Sequence, residues 1–328
     1  MRKTPWDGLP RIAVIVLSLI WLAACTVADY SDGVTSFSQA VTAATSLGPT
    51  LETAAQQNMQ TQNLQNLAQV DPRTVLLPAA CDVGATNYTS GACALMVAGK
   101  PIDAAGAAPA TASLANYAAA LAAVVADTTC TKLQSDTTGL STAVSDIAKA
   151  AGPAAAAAAA GPISQIVSAA GCLAIGAEQL RALRAATSAA NPSIQSVVPL
   201  IANAYTNLYL EALDVTHNQA MRSLVAYDTA MARYKQSRSQ SDLAAAQSSL
   251  TQTIAFASAI DKAKSAPPGP VVTKIATLHA ELTNDLNSPV VNLKNVSADA
   301  QAFISQITPV VTAAQTLAKS SKPAAAAK

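Results

Sequence analysis

The stretch LIANAYTNLYLEALDVTHNQAMRSLVAYDTAMARYKQSRSQSDLAAAQSSLTQTIAFASAIDKAK, residues 200–264, is the longest run in the chain with neither glycine nor proline. Ile201, Tyr205, Leu208, Leu213, Met221, Leu224 and Met231 recur along it at helical intervals and read as one apolar stripe. Ser237-Arg238-Ser239-Gln240-Ser241-Asp242 is a polar break rich in capping residues, so the run reads as two antiparallel helices. The second, about 242–264, stops at Ala266-Pro267-Pro268-Gly269-Pro270.

The same periodicity extends both ways. Phe37, Val41, Leu47, Leu51, Met59, Leu64 and Leu67 predict a helix over about 34–70, kinked at Gly48-Pro49. Residues 107–127 and 130–150 read as two further helices, and about 164–190 as another. Asn191-Pro192 reads as a cap with proline at the first helical position. A last pattern runs from Ile275 to Leu317, restarting at Ser288-Pro289. Between these, residues 71–101 hold Pro72, Pro78, Gly84, Gly91 and Gly99 and read as a surface loop. No segment has strand periodicity. The expected fold is all-α: an elongated, alanine-rich antiparallel helical bundle over 34–318, with a possible sub-boundary at 152–162, no substantial sheet, and a disordered tail at 319–328.

Alanine makes up roughly a quarter of the chain, whereas aromatic residues are only 4%. Alanine favours helix but buries little apolar area, so stability has to come from close helix approach.

The first residues carry a different signal. Arg2, Lys3 and Arg11 precede an apolar run from Ile12 to Leu22, followed by Ala23-Ala24-Cys25-Thr26. The run is about eleven residues, short of the roughly 20 a spanning helix needs. The segment resembles a bacterial lipoprotein signal peptide with its lipobox. The resemblance implies removal of residues 1–24 and acylation of Cys25, which becomes the mature N-terminus and the membrane attachment. It also implies the outer membrane, facing the periplasm, because Thr26 is not the aspartate that retains such proteins at the inner membrane. Residues 25–33 read as a short tether.

Removing Arg2, Lys3, Arg11 and Asp7 from 20 basic and 19 acidic residues leaves 17 and 18. A mature chain so near neutrality has no electrostatic footprint for nucleic acid. Cys81, Cys93, Cys130 and Cys172 form an even set for an oxidising compartment. Of the three possible pairings, Cys81–Cys93 and Cys130–Cys172 each bracket a candidate loop or hairpin, and the first would staple the 71–101 loop.

No nucleophile elbow, phosphate loop, dinucleotide fingerprint or zinc helix occurs in the sequence. Neither a cofactor nor a metal is expected. Glu211, Asp214 and His217 are spaced by three, and His217 reads as a bundle-edge histidine paired with Asp214. His279 near Glu281 and Asp285 reads as part of a solvated last turn, and Arg181 with Arg184 as a solvated face. Tyr205 and Tyr209, with Tyr227 and Tyr234, either supply core bulk or line a groove, which makes Tyr205, Tyr209 and His217 the candidate ligand contacts. The expected function is a lipid-anchored structural or protein-interaction component of the bacterial envelope, with an envelope protein as partner. The alternative is a carrier for an apolar ligand between helices; an enzyme is not expected.

Overall fold

The computed structural model describes residues 30–55, 107–159 and 175–320. Of these, 92% are helical and none is in a strand, so the fold class is all-α. The described helices are α1 (30–45), α2 (47–55), α3 (Ala108–Ala126), α4 (Cys130–Ala151), α5 (Pro153–Ala159), α6 (Ile175–Ser237), α7 (Gln240–Lys264), α8 (Pro268–Val272), α9 (Lys274–Asn287) and α10 (Lys294–Ser320). They divide into two compact units. The first takes residues up to Thr45, Ala107–Ala202 and Pro270–Ile307; the second takes Ser46–Gly106, Asn203–Gly269 and Thr308–Lys328. Of the possible sub-boundary at 152–162, residues 160–162 lie outside the described residues. The loop at 71–101 and Cys25, Cys81, Cys93 and Cys172 lie outside the described residues.

In the first unit, each helix buries one stripe. Val34, Phe37 and Val41 of α1, Leu114, Tyr117 and Leu121 of α3, Leu140, Val144 and Ile147 of α4, and Leu282 and Leu286 of α9 are all fully enclosed. α3 is long and apolar enough to cross a membrane by length and composition. Its hydropathy comes largely from alanine, and its stripe of large residues is buried. Residue 30, inside the stretch read as a tether, is already helical. Tyr30 is buried, and its hydroxyl reaches Gly176 O and Gln179 Oε1, both at 3.1 Å.

Two local readings are corrected. α6 does not restart at Asn191-Pro192; it runs unbroken through Pro192 and Pro199. Ser193, Ile194, Val197 and Val198 are buried on its packed side, while both prolines are exposed. Ser188 and Gln195, four residues before each proline, are exposed as well, so the carbonyls that lose an N–H partner turn to solvent. The stripe through Met221 and Leu224 is the second correction. These two residues are 49% and 38% exposed, and the buried positions nearby are Ala212, Val215, Thr216, Gln219, Ser223 and Ala230.

The second unit is built around the hairpin of α6 and α7. Ser223 Oγ donates to Ser249 O at 2.8 Å, and Arg233 approaches Asp242 at 3.6 Å, which fixes an antiparallel register. Arg238 makes the turn in the left-handed region (φ 56°), and Ser239 caps α7 by accepting from Ser241 N.

Close approach is clearest at Gly33, where an added Cβ would lie 2.3 Å from Leu293 Cβ. Gly33→Ala is therefore expected to destabilise the chain by about 1–3 kcal/mol through overpacking. Urea midpoints of Gly33→Ala and wild type measure this, and equal midpoints would contradict it.

Candidate functional site

The most developed polar constellation lies in the first unit, around His279. The sequence reading placed this histidine in a solvated turn; the structure buries it completely. It sits four residues after Ile275 and seven before Leu286, on the packed stripe Ile275–His279–Leu282–Leu286. That spacing was visible in the sequence but was outweighed by the neighbouring Glu281 and Asp285. The imidazole lies between the rings of Phe37 and Tyr117, with centroids 5.6 Å from each. Nε2 meets the Tyr117 hydroxyl at 2.8 Å, and Nδ1 meets Asn191 Oδ1 at 3.1 Å. Since the Asn191 oxygen can only accept, Nδ1 carries the proton and Tyr117 donates to Nε2. Asn191 Oδ1 also accepts from Gln195, whose amide donates to Ala276 O at 2.8 Å.

Burial pushes the His279 pKa down from 6.5 to about 3 and pushes Tyr117 well above its usual value. Both groups are thus neutral and fully enclosed. Such a pair is a hydrogen-bonding strut; substrate cannot reach it.

A second constellation joins α1, α3 and α6. Gln179 is 2% exposed; its amide donates to Val124 O at 2.8 Å and Asp127 O at 2.9 Å, while its oxygen accepts from Tyr30. The buried Asp127 carboxylate pairs with Lys132, which also bonds Asp136 at 3.0 Å. Arg184, read as part of a solvated face, instead donates to Leu286 O and, at 3.1 Å, to Ser288 O. Arg181 keeps the expected exposure and pairs with Glu178 at 3.0 Å.

An open groove of about 360 Å³ lies between α9 and α10, lined by Lys274, Thr277, Glu281, Asp299, Phe303 and Gln306 among others. Lys274 Nζ donates to Gln306 Oε1. Partial burial, then Asp299 and Asp285, raise the Glu281 pKa. Among the described residues no group of three or more His, Cys, Asp or Glu side chains is placed to hold a metal ion.

The candidate ligand contacts are in the second unit. Tyr205 is 2% exposed and its ring faces Gly48, where an added Cβ would lie 2.8 Å from the hydroxyl oxygen. Tyr209 is also buried, and its hydroxyl donates to Ala263 O near the end of α7. His217 is exposed, away from both tyrosines. Asp214, its expected partner, accepts from Asn218 at 3.3 Å. Partial burial, then Asp214, raise the Glu211 pKa. Tyr205 and Tyr209 are thus brought together in a packed layer, and His217 is not part of it.

Compared with protein-family models, with curated proteins and with solved structures, the chain has no match in any of the three.

The buried imidazole makes a pH prediction. A folded-state pKa below the unfolded value means that the unfolded chain binds the proton first. His279 therefore contributes stability that is full above about pH 6.5 and is lost as pH falls toward about 3. Between about pH 7.5 and 5.5 the loss should be about 1.4 kcal/mol. The raised Glu281 pKa acts with opposite sign, and a carboxylate titrates mainly below this window. Urea unfolding of wild type against His279→Gln measures the effect: the variant is less stable but should lack this slope, and parallel slopes would refute the assignment.

Proposed function

We propose that the chain is a lipid-anchored, non-catalytic periplasmic protein of the bacterial outer membrane, serving as a structural or protein-interaction component of the envelope. The observation that carries this is the sequence Leu22-Ala23-Ala24-Cys25 after a basic and then an apolar segment. Two or three acyl chains on Cys25 would hold a protein whose near-neutral charge argues against a polybasic grip on anionic lipid, at about 0.8 kcal/mol per buried CH2. An elongated antiparallel bundle, with a loop stapled by Cys81–Cys93 and a Cys130–Cys172 bridge, belongs to the same proposal.

The described helices support an interaction role. Buried Gln179, Ser223 and His279 join helix to helix, while Leu210, Met221, Leu224, Val225, Leu250 and Ile254 of the α6–α7 hairpin remain exposed. The carrier reading would need apolar space beside Tyr205 and Tyr209, and both rings are buried.

Intact mass of the protein extracted from membranes tests the anchor. The expected mass is that of residues 25–328 plus two or three acyl chains, with Cys25→Ser giving an unacylated product that no longer fractionates with membranes. An unmodified chain that retains residues 1–24 would overturn the proposal.

A further inference from the structure

We infer that the loop Pro289-Val290-Val291, between α9 and α10, is a membrane-contact loop that enters the headgroup–acyl boundary of the bilayer beside the acyl anchor. Val290 is 78% exposed, the most exposed large apolar residue among those described. Pro289 before it is exposed and Val291 after it is half-buried.

The loop is held on both sides. Arg184 donates to Ser288 O at 3.1 Å. Leu293 is buried and packs so closely on α1 that a Cβ added at Gly33 would lie 2.3 Å from its own Cβ. Asn292 Oδ1 accepts from Lys294 N at 3.2 Å, at the first residue of α10. Between these fixed points Pro289 and Val290 stay in water. A tip presented this way loses little freedom when it meets a partner.

The loop lies at the Tyr30 end of the first unit. The Phe37 ring packs on His279 of α9, whereas Gly33, one turn nearer Tyr30, meets Leu293 just after the loop. The hydroxyls of Ser36 and Ser297, 3.0 Å apart, then set α10 running beside α1 and away from that end. Helix α9 therefore approaches the Tyr30 end, the chain turns over at 288–293, and α10 leaves. The α3–α4 turn shares this end, because Gln179 joins the Tyr30 hydroxyl to Asp127 O.

The length of chain before Tyr30 identifies the occupant. In the anchor reading Cys25 carries the acyl chains, and five residue steps separate it from Tyr30. Fully extended, they span at most about 18 Å. Tyr30 is itself fixed in the unit, 1% exposed and hydrogen-bonded to Gly176 and Gln179. Helix α4 starts at this end and its 22 residues run about 33 Å away from it, at 1.5 Å per residue. The leash is shorter than that helix, so the Tyr30 end is the one kept at the lipid. An exposed valine there can settle about 5–10 Å into the headgroup–acyl boundary, the depth of interfacial apolar side chains.

This contact rests on the anchor proposed above and can fail without it. Trp6 and Trp21, the two tryptophans of the chain, both lie in the segment that the anchor reading removes, so a single introduced tryptophan reports its own depth. The full acylated chain carrying Val290→Trp is purified from membranes in detergent. It is reconstituted into phosphatidylethanolamine–phosphatidylglycerol vesicles whose acyl chains are plain or brominated. Val290→Trp emission is expected to shift to the blue, and bromination should quench it roughly twofold, since interfacial side chains reach the acyl region. Lys149→Trp, exposed in the last turn of α4, should emit as in water and be indifferent to bromination. Both positions are exposed, so circular dichroism should show wild-type helicity. Intact mass of the same samples separates the two readings. An acylated chain whose Val290→Trp is quenched no more than Lys149→Trp would overturn the membrane-contact loop and leave the anchor standing. A loop that docks on a protein instead would give that result, because the vesicles contain none. An unacylated chain would overturn both.

Discussion

A helix leaves its last four carbonyls without partners, and burying them unpaired costs about 1–3 kcal/mol each. In this protein α6 supplies donors to the ends of three other helices. Gln179 closes α3 through Val124 O and Asp127 O. Arg184 closes α9 through Leu286 O and Ser288 O. Tyr209 adds a second donor to Ala263 O of α7, which already accepts from Ala266 N. In the first unit the buried pair His279–Tyr117 adds a fourth link of the same kind, joining side chains at mid-helix. A chain with this much alanine has few large side chains to fix the rotation and register of its helices. Directional hydrogen bonds from one long helix provide that fixing.

This arrangement explains which parts of the fold were legible in the sequence. Helices at 108–126 and 130–151 and the break near residue 238 were readable because propensity, caps and breakers act locally. Continuity through Pro192 was not, since it depends on the buried flank formed by Ile194, Val197 and Val198. The role of Arg184 was equally hidden: three residues after Arg181 it looks like the same solvated face, and only the position of α9 distinguishes them. His279 was misread because its charged neighbours Glu281 and Asp285 argued for solvent, although its spacing from Ile275 and Leu282 argued for the core.

At the candidate sites the same division holds. Tyr205 and Tyr209 were recognisable as a pair one turn apart, but the sequence could not choose between groove and core. The close approach of Gly48 to the Tyr205 ring shows a packed layer. His217 was grouped with them by the apolar stripe, and that stripe mixed two faces of one helix. Beyond Tyr209 the buried positions of α6 are Ala212, Val215, Thr216, Gln219, Ser223 and Ala230, and apart from Val215 their small or polar side chains leave little apolar periodicity to detect.

Small seam residues also bear on why the large ones are outside. Alanine, serine and threonine let two backbones come close, and a Leu or Met inserted between α6 and α7 would push them apart. Met221, Leu224, Leu250 and Ile254 are therefore excluded from the hairpin's own contact by the closeness of that contact. Left in water, each forgoes about 25 cal/mol for every Å² of apolar surface that stays exposed. Among the described residues, no packing contact of the hairpin accounts for large apolar residues at these positions, where alanine would serve the helix better.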